Sequence, residues 1–180
     1  MKRGFTLIEL MVAISIFIVI MTIAMGSIIG VFDANRKSRS LKTVLNNLNL
    51  AVESMSKEMR FGKNYHCGSG DVTVPQNCQN LGDDHTLMSF LSSNNIQITY
   101  RLEPLARTSI EKQVGSGDWI AVTAPEIIID DLTFYTLGAG TSNTLQPKVI
   151  IKIKSHAGTT GKGRSDFTLQ TLVSQRVLDI

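Results

Sequence analysis

The sequence predicts an α+β fold: one long N-terminal helix, membrane-spanning over its first half, packed through its second half on a C-terminal antiparallel β-sheet. Three observations predict it. Residues 5–32 form an apolar run that holds a single charge, Glu9. Residues 40–62 carry apolar side chains at helical spacing. Beyond residue 95, apolar and polar residues alternate in segments separated by glycine-rich turns.

The helix is read in two parts. From Leu10 to Phe32 there are 23 residues without a charge. As a helix this stretch is roughly 35 Å long, enough to cross a hydrocarbon core of about 30 Å. A helix buried in a soluble core rarely stays apolar on every face for so many turns. Farther on, Leu41, Leu45, Leu48, Val52, Met55 and Met59 are spaced 4, 3, 4, 3 and 4 residues apart and form one stripe. Asn46, Asn47, Asn49, Glu53, Ser56 and Lys57 lie off it. A coiled coil would explain the stripe, but only about three heptads are present, and the downstream strands offer an intramolecular partner. No proline or glycine interrupts residues 31–61, and Gly62 is placed as a C-cap. The expected helix runs from Phe5 to Phe61, roughly 85 Å.

Residues 63–95 are rich in Gly, Ser, Asn and Asp and read as irregular. Strands are expected at 96–102, 110–114, 119–123, 127–137, 148–154 and 166–177. Ile96, Ile98, Tyr100 and Leu102 alternate with Gln97, Thr99 and Arg101; Val149, Ile151 and Ile153 alternate with Lys152 and Lys154. Turns fall at Gly115–Asp118, Gly138–Gly140 and 158–163.

The formal charge of +3 is small. Without Lys2 and Arg3, sixteen basic residues face fifteen acids, which gives no support to a globally basic nucleic-acid binder. Two cysteines, Cys67 and Cys78, follow the apolar run. A disulfide is expected if this part lies outside the cytoplasmic membrane. A zinc site with His66 and His85 is the alternative, although the spacing fits no standard ligand pattern.

Catalytic signatures are missing. The stretch 158–163, GTTGKG, lacks the Walker spacing, and no G-x-S-x-G elbow occurs. No catalytic residue, enzyme activity or cofactor is expected. His66, His85 and His156 are scattered and read as surface residues. Asp83-Asp84 and Asp130-Asp131 are the pairs that would hold Ca²⁺ if any did, with solvated turns as the plainer reading. Lys152, Lys154, Lys162 and Arg164 would form a basic edge. DNA binding would want interleaved aromatics, and none is present, so the expected role is a solvated face that discourages edge pairing.

The N-terminus admits three readings. A secretory signal would use Lys2 and Arg3 and cleave after Ala24-Met25-Gly26, before Ser27, but its apolar stretch would be too long. An uncleaved anchor fits the length and leaves Glu9 unexplained. The third rests on Lys2-Arg3-Gly4-Phe5-Thr6-Leu7-Ile8-Glu9-Leu10. This segment closely resembles the signal of type IV prepilins and type II secretion pseudopilins.

That resemblance implies residues 1–4 as a leader, 5–32 as a transmembrane and filament-core helix, 33–61 as its amphipathic continuation and 62–180 as a β-rich domain. It implies the pilin fold, with cleavage by a prepilin peptidase between Gly4 and Phe5 and N-methylation of Phe5. Lys2 and Arg3 would be the basic residues of the leader. Glu9, costly in lipid at about 2.5–3.5 kcal/mol, would pair with the Phe5 amine of a neighbouring subunit and set the register of the filament. The implied partners are the peptidase, other pilin or pseudopilin subunits, the inner-membrane assembly platform and membrane lipid. The implied location is the cytoplasmic membrane, single-pass with the C-terminal domain extracytoplasmic, and then a pilus or pseudopilus. Arg36, Lys37, Arg39 and Lys42 oppose this orientation on a count of flanking charge. Long C-terminal domains cross largely regardless of it. The strands of residues 96–176 more loosely resemble minor pilins and pseudopilins of the J/W-like group. The competing function is a monomeric, membrane-anchored extracytoplasmic binding module that never polymerises.

Overall fold

The computed structural model describes residues 4, 6–68, 70–78, 85–125, 127–140, 145–157 and 164–176. The chain divides into two compact units, Met1–Ser40 and Leu41–Ile180. Helix α1 spans Leu7–Phe61 as one element.

Eight strands follow: β1 (Lys63–Cys67), β2 (Leu87–Leu91), β3 (Gln97–Leu102), β4 (Ile110–Val114), β5 (Ile120–Ala121), β6 (Ile127–Leu137), β7 (Lys148–Ala157) and β8 (Ser165–Ser174). The helix-then-antiparallel-strand layout is the α+β class expected. One sheet is expected and two are present. The strands form a five-stranded sheet, β1-β2-β3-β4-β5, and a three-stranded sheet, β6-β7-β8. Every pairing is antiparallel between strands consecutive in sequence. Scattered main-chain bonds bridge the two sheets. Ile129 N–H donates to the Thr108 carbonyl at 3.1 Å and Phe134 N–H to the His85 carbonyl at 2.7 Å.

Residues 63–95 are not wholly irregular, because β1 and β2 lie within them. The segment KNYHC has no clean alternation, and its strand exists because β2 pairs with it. Strand β6 carries a bulge: Ile129 opposes Ser155 and Asp131 opposes Lys154, so Asp130 is the extra residue. Ile127, Ile129, Leu132 and Phe134 consequently stay on the buried face across an odd step in the sequence.

The helical stripe is displaced from the expected one. Val44, Leu48, Ala51, Val52, Met55 and Met59 are buried, while Leu45 is 41% exposed and Leu41 only half-buried. Val44 and Ala51 replace Leu41 and Leu45 because the contact line is set by where the sheets lie. This face joins Tyr65, Met88, Phe90, Tyr100, Phe134, Ile151 and Val173 in one core. Burying a large apolar side chain contributes about 1.5–3 kcal/mol. The ion pair of Arg101 with Glu111 at 2.9 Å has side chains 26% and 16% exposed and contributes about 1 kcal/mol. The core therefore dominates.

The end of α1 is closed by distant groups. Tyr65 Oη donates to the Met59 carbonyl at 2.6 Å, and Arg176 N–H donates to the Arg60 carbonyl at 2.8 Å. Gly62 is not a left-handed cap; that conformation falls on Asn64, at φ 54°. Gly62 is needed because a Cβ there would collide with the Phe90 ring.

Candidate functional site

Gly4 is exposed and non-helical, and nothing lies within 4 Å of where its Cβ would stand. Lys2, Arg3 and Phe5 lie outside the described residues. Thr6 caps the helix. Its Oγ1 accepts from the Glu9 N–H at 3.3 Å and its carbonyl from the Leu10 N–H at 3.2 Å. Thr6 and Glu9 form the T-x-x-E pattern of a capping box, a signal present in the sequence that the reading above did not use. Glu9 lies in the first turn, where the helix dipole favours an acid. Its carboxylate has no side-chain partner among the described residues.

The helix beyond Glu9 is built for an apolar medium. Every large apolar side chain from Leu7 to Phe32 is at least half exposed. The three hydroxyls in this stretch are satisfied within the helix. Ser15 donates to the Met11 carbonyl, Thr22 to Ile18 and Ser27 to Ile23, at 2.8–3.1 Å. An exposed helix that hides its own hydroxyls suits lipid or a bundle of like helices. Covering the eighteen large apolar side chains would release on the order of 20 kcal/mol, at roughly 1 kcal/mol for each half-exposed side chain. The cost of one carboxylate is far smaller. The helix is long and apolar enough to cross a membrane.

Residues 1–25 match a family model described as the prokaryotic N-terminal methylation motif. This motif, followed by the exposed apolar helix, marks the chain as a type IV pilin-like prepilin. No curated protein and no solved structure matches it.

In the globular unit Cys67 and Cys78 form a disulfide, with Cα atoms 5.3 Å apart. Both are buried. The bond closes a loop with a sequence separation of 11, for which chain entropy gives about 3 kcal/mol. His85 is near enough to make a three-donor cluster with the two sulfurs, but bonded sulfurs are not thiolate ligands.

The histidines are not free surface residues. His66 is buried, its Nδ1 2.7 Å from the Val74 carbonyl. His85 packs its ring on Tyr135 at 5.4 Å. His156 is half-buried, with Nδ1 2.8 Å from Asp130 Oδ2. Asp130, His156 and Asp166 come together from β6, β7 and β8. Arg164 lies against them, 2.8 Å from Asp166 and 4.0 Å from Asp130. Asp83 and Asp84 lie outside the described residues, as does Lys162. Lys152 and Lys154 occupy the central strand β7 rather than an edge, so they guard no edge from pairing.

A polar tether joins α1 to the larger sheet. Tyr100 Oη donates to Glu58 Oε2 at 2.8 Å, and Lys112 Nζ donates to Glu58 Oε1. Burial, and then the adjacent Glu58 carboxylate, push the Tyr100 phenol far above its ordinary value. Its folded-state value is raised, so its contribution to stability is complete below about pH 10. Above that the unfolded chain releases the proton first and stability falls. Thermal unfolding followed through pH 10 is expected to show this loss, and Tyr100→Phe is expected to remove that part of it. At the exposed surface, backbone N–H bonds lower two carboxyls: Thr73 acts on Asp71, and Leu105 leads those acting on Glu103.

Proposed function

We propose that the chain is a structural subunit, and specifically a minor one, of a type IV pilus, competence pilus or type II secretion pseudopilus. The observation that carries this reading is the methylation motif at the start of a capped apolar helix whose large side chains from Leu7 to Phe32 are all exposed. A prepilin peptidase cuts after Gly4 and methylates Phe5. Until assembly the helix lies in the cytoplasmic membrane, with the disulfide-bonded domain outside. Extraction into the filament then exchanges lipid for the apolar helices of neighbouring subunits. Glu9 meets the Phe5 amine of a neighbour, and a charge unfavourable in an isolated subunit becomes a register device. The protein acts by assembly rather than by catalysis.

The test is the intact mass and N-terminal sequence of the protein purified from its native membrane. A chain beginning at N-methylated Phe5 is the expected result. A chain beginning at Ser27 would make it a secreted protein. An uncut Met1 in a host with active prepilin peptidase would leave the anchored, non-polymerising module.

A further inference from the structure

Strand β8 is the outer strand of the three-stranded sheet and runs ten residues, Ser165–Ser174, in unbroken register with β7. Other long edges in the domain are covered. The outer side of β6 meets Thr108, His85 and Cys78 through main-chain bonds, and β1 bonds to Gln76. At the far edge of the larger sheet, β5 is only two residues long. The outer edge of β8 makes no main-chain bond of this kind from Ser165 to Ser174 among the described residues; the chain next bonds sideways at Gln175 and Arg176. The strand's only charge is Asp166, at its N-terminal end, and the half from Gln170 to Ser174 carries none of the usual protection against pairing. SDFTLQTLVS contains no lysine, no proline and no bulge.

A groove of about 810 Å³ opens beside the C-terminal half of this strand. Consecutive residues Thr171 to Gln175 line it. Side chains from both faces of a strand reach one cavity only where that cavity runs along the strand's edge. Its far wall is α1, which contributes Glu53, Lys57 and Arg60, with Arg176 at one end. Three cations oppose one acid, and the Arg176 guanidinium lies over the Phe61 ring at 5.5 Å.

We propose that the β8 edge is a docking site for an extended acidic segment of a partner polypeptide, which adds as a fourth strand beside β7 and β8. The open backbone groups supply the main-chain bonds, and Lys57, Arg60 and Arg176 select negative side chains. This site lies wholly in the Leu41–Ile180 unit and does not depend on how the N-terminus is processed.

The probes are fluorescein-labelled ten-residue peptides of alternating valine and glutamate, the same with lysine for glutamate, and the acidic peptide N-methylated at alternate amides. Binding to the full chain in detergent is read by anisotropy. The acidic peptide is expected to saturate the protein, and the lysine peptide to bind at least about tenfold more weakly. N-methylation, which leaves side chains unchanged and removes donors, is expected to abolish binding, and Lys57→Glu with Arg60→Glu to weaken it at least about tenfold. Equal binding of the N-methylated peptide would mean charge attraction alone and would overturn strand addition. Absence of saturation up to about 1 mM, an affinity of only about 4 kcal/mol, would overturn the site. Self-association that the acidic peptide displaces would assign the edge to a second copy of this chain and overturn the acidic partner.

Discussion

Glu9→Leu is expected to leave cleavage after Gly4 intact and to remove the protein from filaments. The apolar replacement eases membrane insertion by about 2.5–3.5 kcal/mol, so the membrane-bound precursor accumulates normally. In the assembled state it leaves the Phe5 amine of a neighbour without its partner. Breaking one side of a buried pair costs about 3–5 kcal/mol, which lowers incorporation by well over a hundredfold. Glu9 also donates its backbone N–H to the Thr6 cap, so the cap must be separated from the pairing. Thr6→Ala loses the cap alone, about 1 kcal/mol, and is expected to keep incorporation largely intact. The measurement is the share of mature protein in sheared filaments against the share left in membranes. Normal incorporation of Glu9→Leu would sink the pairing argument. A non-polymerising anchor would show no filament signal for either variant or for the parent chain.

The second large effect is on stability. Phe134→Ala is expected to destabilise the β-rich domain by about 3–5 kcal/mol. Phe134 is fully buried on β6, on the face that joins the helix stripe and both sheets in one core. A typical domain has only about 5–15 kcal/mol to lose, so the variant would stand near the edge of folding. Leu172→Ala is the control, because Leu172 is 60% exposed on β8; a change within about 0.5 kcal/mol is expected. Trp119 is the single tryptophan of the chain and lies beneath the Arg101 guanidinium, 3.6 Å from its centroid. Its fluorescence in a denaturant titration reports the unfolding of this domain. Equal losses for the two variants would mean that Phe134 is no more part of the core than Leu172.

The strands that were legible share a property. Residues 97–102 alternate polar with apolar side chains and 149–154 buried with less buried ones, and alternation is local information that survives without neighbours. Segments KNYHC and LMSFL do not alternate; KNYHC is a strand because LMSFL pairs with it, and LMSFL because β3 pairs with it along its whole length. The stripe of α1 buries Val44 and Ala51 in place of Leu41 and Leu45, because periodicity fixes the spacing of a buried face but not the angle at which a sheet meets it. His66 and His85 were misread for a related reason. His66 is buried against the Val74 carbonyl and His85 half-buried against the Tyr135 ring, one in a nearby turn and the other 50 residues along the chain.

The sequence by itself determined the N-terminal chemistry: the Gly4–Phe5 junction, the lone acid at Glu9, and a helix apolar on all sides. These are linear signals, carried by a few adjacent residues or by composition alone, so they need no tertiary context. The tertiary structure decided the rest. It split the strands into two sheets, placed Lys152 and Lys154 at the centre of one, and left β8 as its outer strand. Edges and centres are relations between distant segments, set by which strands find a partner and which do not, and a single alternating segment carries no record of its neighbours.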